Sequence, residues 1–196
     1  MPSPAQPVLR TSRLLLRPFR EDDEAGLATL AGDRRIADTM VSFPYPYSPA
    51  DARNDIARFK RDWEEARGAH FAVVLANTPA EFVGYFAVKS IDREHSAAEI
   101  SFWISRGAAG NGYVREAGRE ILRFAFESLR LNRVCAHHMV RNPASARVLT
   151  ALGLRQEGVL REMVRKWGIF EDVVESAILA REWQQIDHGR AGAGMY

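Results

Sequence analysis

Cysteine is almost missing from this chain of 196 residues; Cys135 stands alone. One thiol excludes an internal disulfide framework and any multi-cysteine metal site. Long hydrophobic runs are missing too. Nothing approaches the ~20 apolar residues needed to span a bilayer, and the longest uncharged apolar stretches, residues 71–75 and 102–104, are short. The opening MPSPAQPVLR has no apolar core of the kind that marks a secretion signal, so a cytoplasmic protein with no membrane partner is expected. Lysine is scarce, three residues against 24 Arg, and no function is read from that ratio.

What is present is a globular composition, 46% hydrophobic and 27% charged, at a length that buries one well-formed core. Net charge is only +2, yet nine Arg and three Glu between residues 106 and 155 make a local excess of +6, while residues 20–24 are acidic. A local basic excess beside a glycine-rich turn suits a phosphorylated small molecule. A nucleic-acid binder carries a larger overall excess and a recognised motif, so no nucleic-acid partner is expected.

Along the chain, residues 1–7 hold three prolines and no periodicity, which reads as a loose arm. RLLLR at 13–17, ended by Pro18, reads as a strand. Residues 21–30, acidic first and apolar later, read as a short helix. FPYPYSP at 43–49 is barred from regular structure by its prolines. Ser48 as N-cap, Pro49 at the first position and Asp51 at the third then announce a helix. Its apolar stripe runs through Ala52, Ile56, Phe59, Trp63 and Ala66, and Gly68 closes it.

Strands are expected over 70–76, 81–90 and 98–105, with Gly84 marking a bulge or close approach. Helical periodicity covers 113–130, a strand 133–140, and a second helix 143–152, stopped by Gly153. Two strands, 157–167 and 169–180, meet at Gly168, and residues 185–196 read as a loose tail. The order β-α-α-β-β-β-α-β-α-β-β is an α/β mixture with consecutive strands, which disfavours a doubly wound sheet and a TIM barrel. One domain over residues 8–184 is the expectation.

The most informative stretch is SFWISRGAAGNGYVRE at 101–116: a strand, a loop with Gly107, Gly110 and Gly112, then a helix. Amides at a helix start lack intrahelical partners and carry the positive end of its dipole, and glycines let a backbone close around an anion. Pyrophosphate suits such a turn. It is not a P-loop, since Tyr113 and Val114 follow Gly112, nor a dinucleotide fingerprint, since Arg115 stands where the third glycine belongs. A flexible loop with a glycine cap remains an alternative.

The pattern W-I-S-x(6)-G-Y-x-x-E-A at 103–117 is followed by N-P-A-S-A-R-V-L-x-x-L-G-L-R-x-E-G at 142–158. Together they resemble the GNAT superfamily of acyl-CoA-dependent N-acetyltransferases. With TSRLLLRPFREDD at the start and FPYP before the long helix, the chain looks most like the branch that acetylates N-terminal residues of ribosomal proteins. The resemblance covers roughly residues 10–182. It implies a strongly bent, centrally splayed mixed sheet flanked by helices, with acetyl-CoA in the gap. The pyrophosphate would rest on the amides of Gly110, Asn111, Gly112, Tyr113 and Val114. The strand Trp103, Ile104 and Ser105 would pair with the pantetheine arm, with Asn142 and Arg147 as further cofactor contacts. Ala109 stands where the family's turn usually has Gln or Arg, and Val114 where it has Gly or Ala. Both departures weaken the expected grip on phosphate without removing the amides that make it.

Acetylation needs a neutral amine, a group that takes its proton and a group that protonates the leaving thiolate. The resemblance points to an acidic residue on the strand before the loop, here Glu99, acting through water. Alternation puts Glu99, Ser101 and Trp103 on one face; an ion pair with an arginine is the other reading. Ser145 resembles the serine that serves as acid in the ribosomal-protein branch, and Leu149 occupies the place of the tyrosine other members use. Helix capping or a back-bond is the alternative for Ser145. Phe43, Tyr45, Tyr47 and Trp167 are candidates for an acceptor groove or for packing. Glu171 and Asp172 could meet an acceptor ammonium or form an exposed acidic turn. His137 and His138 point opposite ways on a strand, and no metal site is expected. The expected activity is transfer of acetyl from acetyl-CoA to a primary amine, a protein N-terminus first. A polyamine or amino sugar, or a non-catalytic acyl-CoA-binding module, are the alternatives. Either a monomer or a homodimer fits.

Overall fold

A computed structural model describes residues 5–41, 43–78 and 82–191. Its strands are β1 Leu9–Arg10, β2 Leu14–Pro18, β3 Ala69–Leu75, β4 Phe82–Asp92, β5 Ala97–Ile104, β6 Arg133–Met139, β7 Arg155–Lys166 and β8 Ile169–Leu179. Its helices are α1 Glu24–Ala31, α2 Arg34–Thr39, α3 Pro49–Glu64, α4 Tyr113–Arg123, α5 Pro143–Leu152 and α6 Ala180–Ala191. The eight strands form one mixed sheet in the order β1-β2-β3-β4-β5-β6-β8-β7. Every neighbouring pair is antiparallel except β5 and β6.

Both faces of the sheet are covered, which is why β3 and β4 read as nearly continuous apolar runs. One face packs Leu14, Leu16, Phe71, Phe86, Val88 and Ile100 against α4 and α5 through Ile121, Leu122, Leu149 and Leu152. The other face sends Tyr85, Ala87 and Trp103 into a second core with Leu27, Ile36, Tyr47, Ala52 and Phe59 from the α1–α3 side. The strand period of two sorts β4 and β5 residues between these cores.

Helix α3 begins as its sequence predicts. The Ser48 hydroxyl accepts from the Asp51 amide at 3.2 Å, and Asp51 returns the bond to the Ser48 amide at 2.8 Å. The stripe is shared: Ala52, Ile56 and Phe59 serve the second core and Trp63 leans on the first. The ending differs. Ala66, not Gly68, takes the left-handed turn, with φ of 54°. The helix expected to reach residue 130 changes pitch at 124, where a wider π turn spans Phe124–Ser128. Phe124, Ala125 and Phe126 are all buried in that turn.

Three elements escape the sequence reading: β1, α2 and α6. The first two are too short for a periodic signal. Helix α6 runs through most of the expected tail, anchored by Trp183 in the core with Ile186 beside it; residues 192–196 lie outside the description. In the expected N-terminal arm, Gln6 donates to the His70 carbonyl at 2.9 Å, and residues 1–4 lie outside the description. Among the described residues no helix is long and apolar enough to cross a membrane.

Candidate functional site

The parallel contact between β5 and β6 is only three pairs long and ends at Glu99 opposite Cys135. Beyond it β5 stays with β4, through Trp103 opposite Tyr85 and Ile104 opposite Gly84, while β6 stays with β8. The two strands diverge, and among the described residues no strand lies against the edge of β5 from Ile100 to Ile104 that faces β6. The gap is a cleft of about 540 Å³ lined by residues 99–104 on one wall, His137 and His138 on the other, and Asn142, Ser145 and Val148 at the start of α5; Ile36, Thr39 and Met40 close it from the α2 side. Gly84 sits behind the β5 wall of the cleft, paired with Ile104. A Cβ there would stand 2.6 Å from the Trp103 carbonyl oxygen, and the β3–β4 register slips beside it at Val73/Val74.

One end of the cleft is the glycine turn. After a single 3-10 turn at Arg106–Ala108, Gly110 and Gly112 take φ of 81° and 77°, and Gly112 caps α4 without a side-chain bond. Among the described residues, no protein acceptor takes the amides of 110–114; the Asn111 side chain instead donates back to the Ala108 and Ala109 carbonyls. Among the described residues nothing stands within 4 Å of a Cβ built at Gly107 or Gly110. A row of unpartnered amides at a helix start, with open space before it, fits a diphosphate. Ala109 and Val114 line the cleft, whereas Ser105, Asn111 and Tyr113 border a separate hollow on the outer side of the turn.

Glu116, in the first turn of α4, steadies this corner, a role the sequence reading missed. Its carboxylate accepts from Thr11 Oγ1, Ser12 Oγ, and the Arg13 amide and Nε at 2.5–3.1 Å. Burial pushes this carboxyl up, but those donors outweigh it and hold it below its ordinary value. Arg13 is thereby fixed over the Tyr113 ring, 4.7 Å from its centre, next to Gly112. An acidic residue in a helix's first turn was the available signal.

Where the strands part, Glu99 is ion-paired, but with a lysine rather than an arginine. Lys89 Nζ stands 3.0 Å and His137 Nδ1 3.4 Å from Glu99 Oε1. Burial raises the Glu99 carboxyl, and His137 and Lys89 together bring it below its ordinary range. Cys135 is half-buried beside it, its thiol pushed up to about 11 by burial and the Glu99 charge, so it stays protonated at neutral pH. His138, also at the cleft wall, is buried and its Nδ1 bonds the Met139 carbonyl at 3.0 Å.

Ser145 faces the cleft from the opposite side. The cap of α5 is Asn142, whose Oδ1 accepts from the Ser145 amide at 3.1 Å. Among the described residues the Ser145 hydroxyl has no partner, so neither capping nor a back-bond occupies it. The Asn142 side chain is committed to that cap and reaches the Thr39 carbonyl at 3.5 Å. Arg147 is exposed on α5, outside the cleft lining.

The four aromatic candidates separate into two pairs. Phe43 stacks on buried Tyr47, centroids 5.0 Å apart, and both line a smaller cavity of about 260 Å³ that shares Met40, Lys89, Ser101 and Trp103 with the cleft. The Tyr47 hydroxyl donates to Asp55 at 2.9 Å, and burial with that charge pushes its pKa up. Tyr45 and Trp167 meet edge to face on the surface, 5.6 Å apart, with Trp167 Nε1 on Asp38. Glu171 pairs with Arg141, which also holds Asp38, and Asp172 accepts from the Glu162 amide. No group of three metal-ligating side chains occurs among the described residues.

Comparison with known proteins agrees with this geometry. Residues 13–155 match the acetyltransferase (GNAT) domain. An uncharacterized N-acetyltransferase, p20 of Bacillus licheniformis, is 29% identical over 175 residues, 89% of this chain and 97% of that protein. The putative ribosomal N-acetyltransferase YdaF of Bacillus subtilis is 34% identical over 101 residues, 52% of this chain and 55% of that one. A crystal structure of a probable acetyltransferase superposes with a TM-score of 0.83 at 26% identity, covering 90% of this chain and 98% of that one. With most of its length under the family's domain and a splayed sheet beside an open amide turn, the chain belongs to the GNAT family of acetyl-CoA-dependent acetyltransferases.

Proposed function

We propose that the protein transfers acetyl from acetyl-CoA to a primary amine, a protein N-terminus first, by direct attack within the splayed cleft. The observation that carries this reading is one cleft bordered by Ala109 and Val114 of the open glycine turn and lined by the Glu99–His137 pair together with Ser145, whose hydroxyl has no partner among the described residues. Acetyl-CoA brings an activated thioester. The chain's own residues orient it, with the amides of 110–114 meeting the diphosphate and the open edge of β5 meeting the arm. An α-ammonium of pKa ~8 needs only modest help to lose its proton, which the Glu99 side of the cleft supplies. Ser145 Oγ–H would protonate the leaving sulfur. The protonated Cys135 argues against an acyl-cysteine route, because the thiolate is the nucleophile. A protein N-terminus as acceptor is supported by the likeness to YdaF and by the aromatic cavity beside the reaction point.

The test is thiol release from acetyl-CoA with peptides whose N-termini are free or blocked, alongside a panel of small amines. Turnover with free peptides only is the expected outcome. Ser145→Ala should lower kcat by about 10²-fold with little change in KM for acetyl-CoA. Turnover with small amines alone would remove the protein N-terminus, and none with any amine would remove the transferase reading.

A further inference from the structure

Three charged or titratable side chains converge where β5 and β6 part. Lys89 and His137 both approach the same oxygen of Glu99. His137 comes from β6, on the wall opposite Glu99, and lines the cleft. Its Nδ1 faces the carboxylate, and among the described residues nothing pairs with its Nε2. A carboxylate already shared between an ammonium and an imidazole has little basicity left for another proton.

We propose that His137 takes the proton of the attacking amine, and that Glu99 is the positioning residue that fixes the His137 ring and tautomer. This deepens the acetyl-transfer reading above and rests on it. Neutral His137 carries Nδ1–H toward Glu99 and offers the Nε2 lone pair to the cleft. The acceptor ammonium gives one proton to Nε2, which later returns it to solvent. The amine lone pair forms the C–N bond as the C–S bond breaks. Ser145 Oγ–H protonates the sulfur, and the second amine proton restores that hydroxyl.

Basicity agrees with the geometry. Glu99 lies below its usual 4.5, whereas Glu99 raises His137 above its usual 6.5 against the opposing effect of burial. The imidazole is the closer match to an ammonium near ~8, and general-base efficiency follows that match. The other groups facing the ring are Glu175, opposite it on β8, which raises it further, Lys89 on β4, which lowers it, and the neutral thiol of Cys135 on its own strand.

The experiment is the pH dependence of kcat at saturating free-N-terminus peptide for the wild type, His137→Gln and Glu99→Gln, with melting curves to establish folding. His137→Gln should lose the wild-type acid limb and about 10²–10³-fold in kcat while keeping its KM for acetyl-CoA. Glu99→Gln should keep a limb, moved to lower pH, since the group that raises His137 is gone. Added imidazole should restore turnover to His137→Ala, which a structural role would not allow. A wild-type profile in His137→Gln overturns the proposal. So does a Glu99→Gln loss larger than that of His137→Gln with the limb unmoved. Should the wild type acetylate no amine, the functional reading falls first. The pairing is then read separately by NMR titration of His137, where a pKa at or below 6.5 sinks this inference too.

Discussion

Asp23 buries a negative charge under the start of α1, and the chain answers with Arg17. The guanidinium meets both carboxylate oxygens, at 2.6 and 2.7 Å, with both side chains about nine-tenths buried. Asp23 also accepts from the Arg20 amide at 2.7 Å, closing the turn that follows β2. Removing one member of such a pair leaves the other charged and unpaired in low dielectric, a cost of about 3–5 kcal/mol. Asp23→Ala should therefore lower the melting temperature by on the order of 10 °C, with Arg53→Ala as a control. Arg53 pairs with Glu24 in the open, and its loss should shift melting far less, since water screens an exposed pair and leaves it little net contribution. Equal shifts for the two would contradict the role of burial. At this scale the sequence was partly legible. It marked Glu99 and Ser145 by type and place, but not that Lys89 and His137 meet Glu99, or that Asn142 relieves Ser145 of the cap.

Strand β4 carries the element-scale argument. Its glycine at 84 lets β5 approach where a side chain would collide with the Trp103 carbonyl at 2.6 Å and Ile104 Cδ1 at 2.8 Å. The backbone contact cannot yield by a rotamer change, so Gly84→Ala should cost about 1–3 kcal/mol. Because Trp103 and Ile104 line the cleft, the strain should also raise KM for acetyl-CoA, read by isothermal titration as weaker CoA binding. Unchanged melting and unchanged CoA affinity would show that β4 and β5 separate without consequence. The strand pattern revealed Gly84 because an isolated glycine among Val, Phe and Tyr has no packing use of its own. The π turn after α4 was hidden, since helical periodicity alone does not report a local change of pitch.

Across the whole molecule, a buried histidine adds to acid sensitivity alongside the carboxylates whose ion pairs hold them below their ordinary range, Glu99 and Glu116 among them. His70 lies under α3, stacked 4.3 Å from Phe59, with Nδ1 at 2.9 Å from the Tyr85 hydroxyl and Nε2 at 3.1 Å from Asp62. Burial, with help from Arg58, pushes its pKa down to about 4, although Asp62 opposes this. The folded state thus prefers the neutral ring, while the unfolded chain binds a proton near 6.5. Its contribution is complete above pH 6.5 and is lost as pH falls toward about 4. The melting temperature should decline through that window, and His70→Gln should flatten the decline; an identical slope in the variant would assign it to other groups. Spacing, capping and composition in the sequence determined most of the strands and helices, the glycine turn and the family likeness, because all of these are local patterns of a few residues; β1, α2 and α6 carried no such pattern. Only the tertiary structure decided that β5 and β6 part after three pairs, that His137 and Glu99 face each other across the opening, and that Tyr47 is buried while Tyr45 is not. Those facts depend on residues dozens of positions apart and on which strand lies beside which, and no local pattern carries that information.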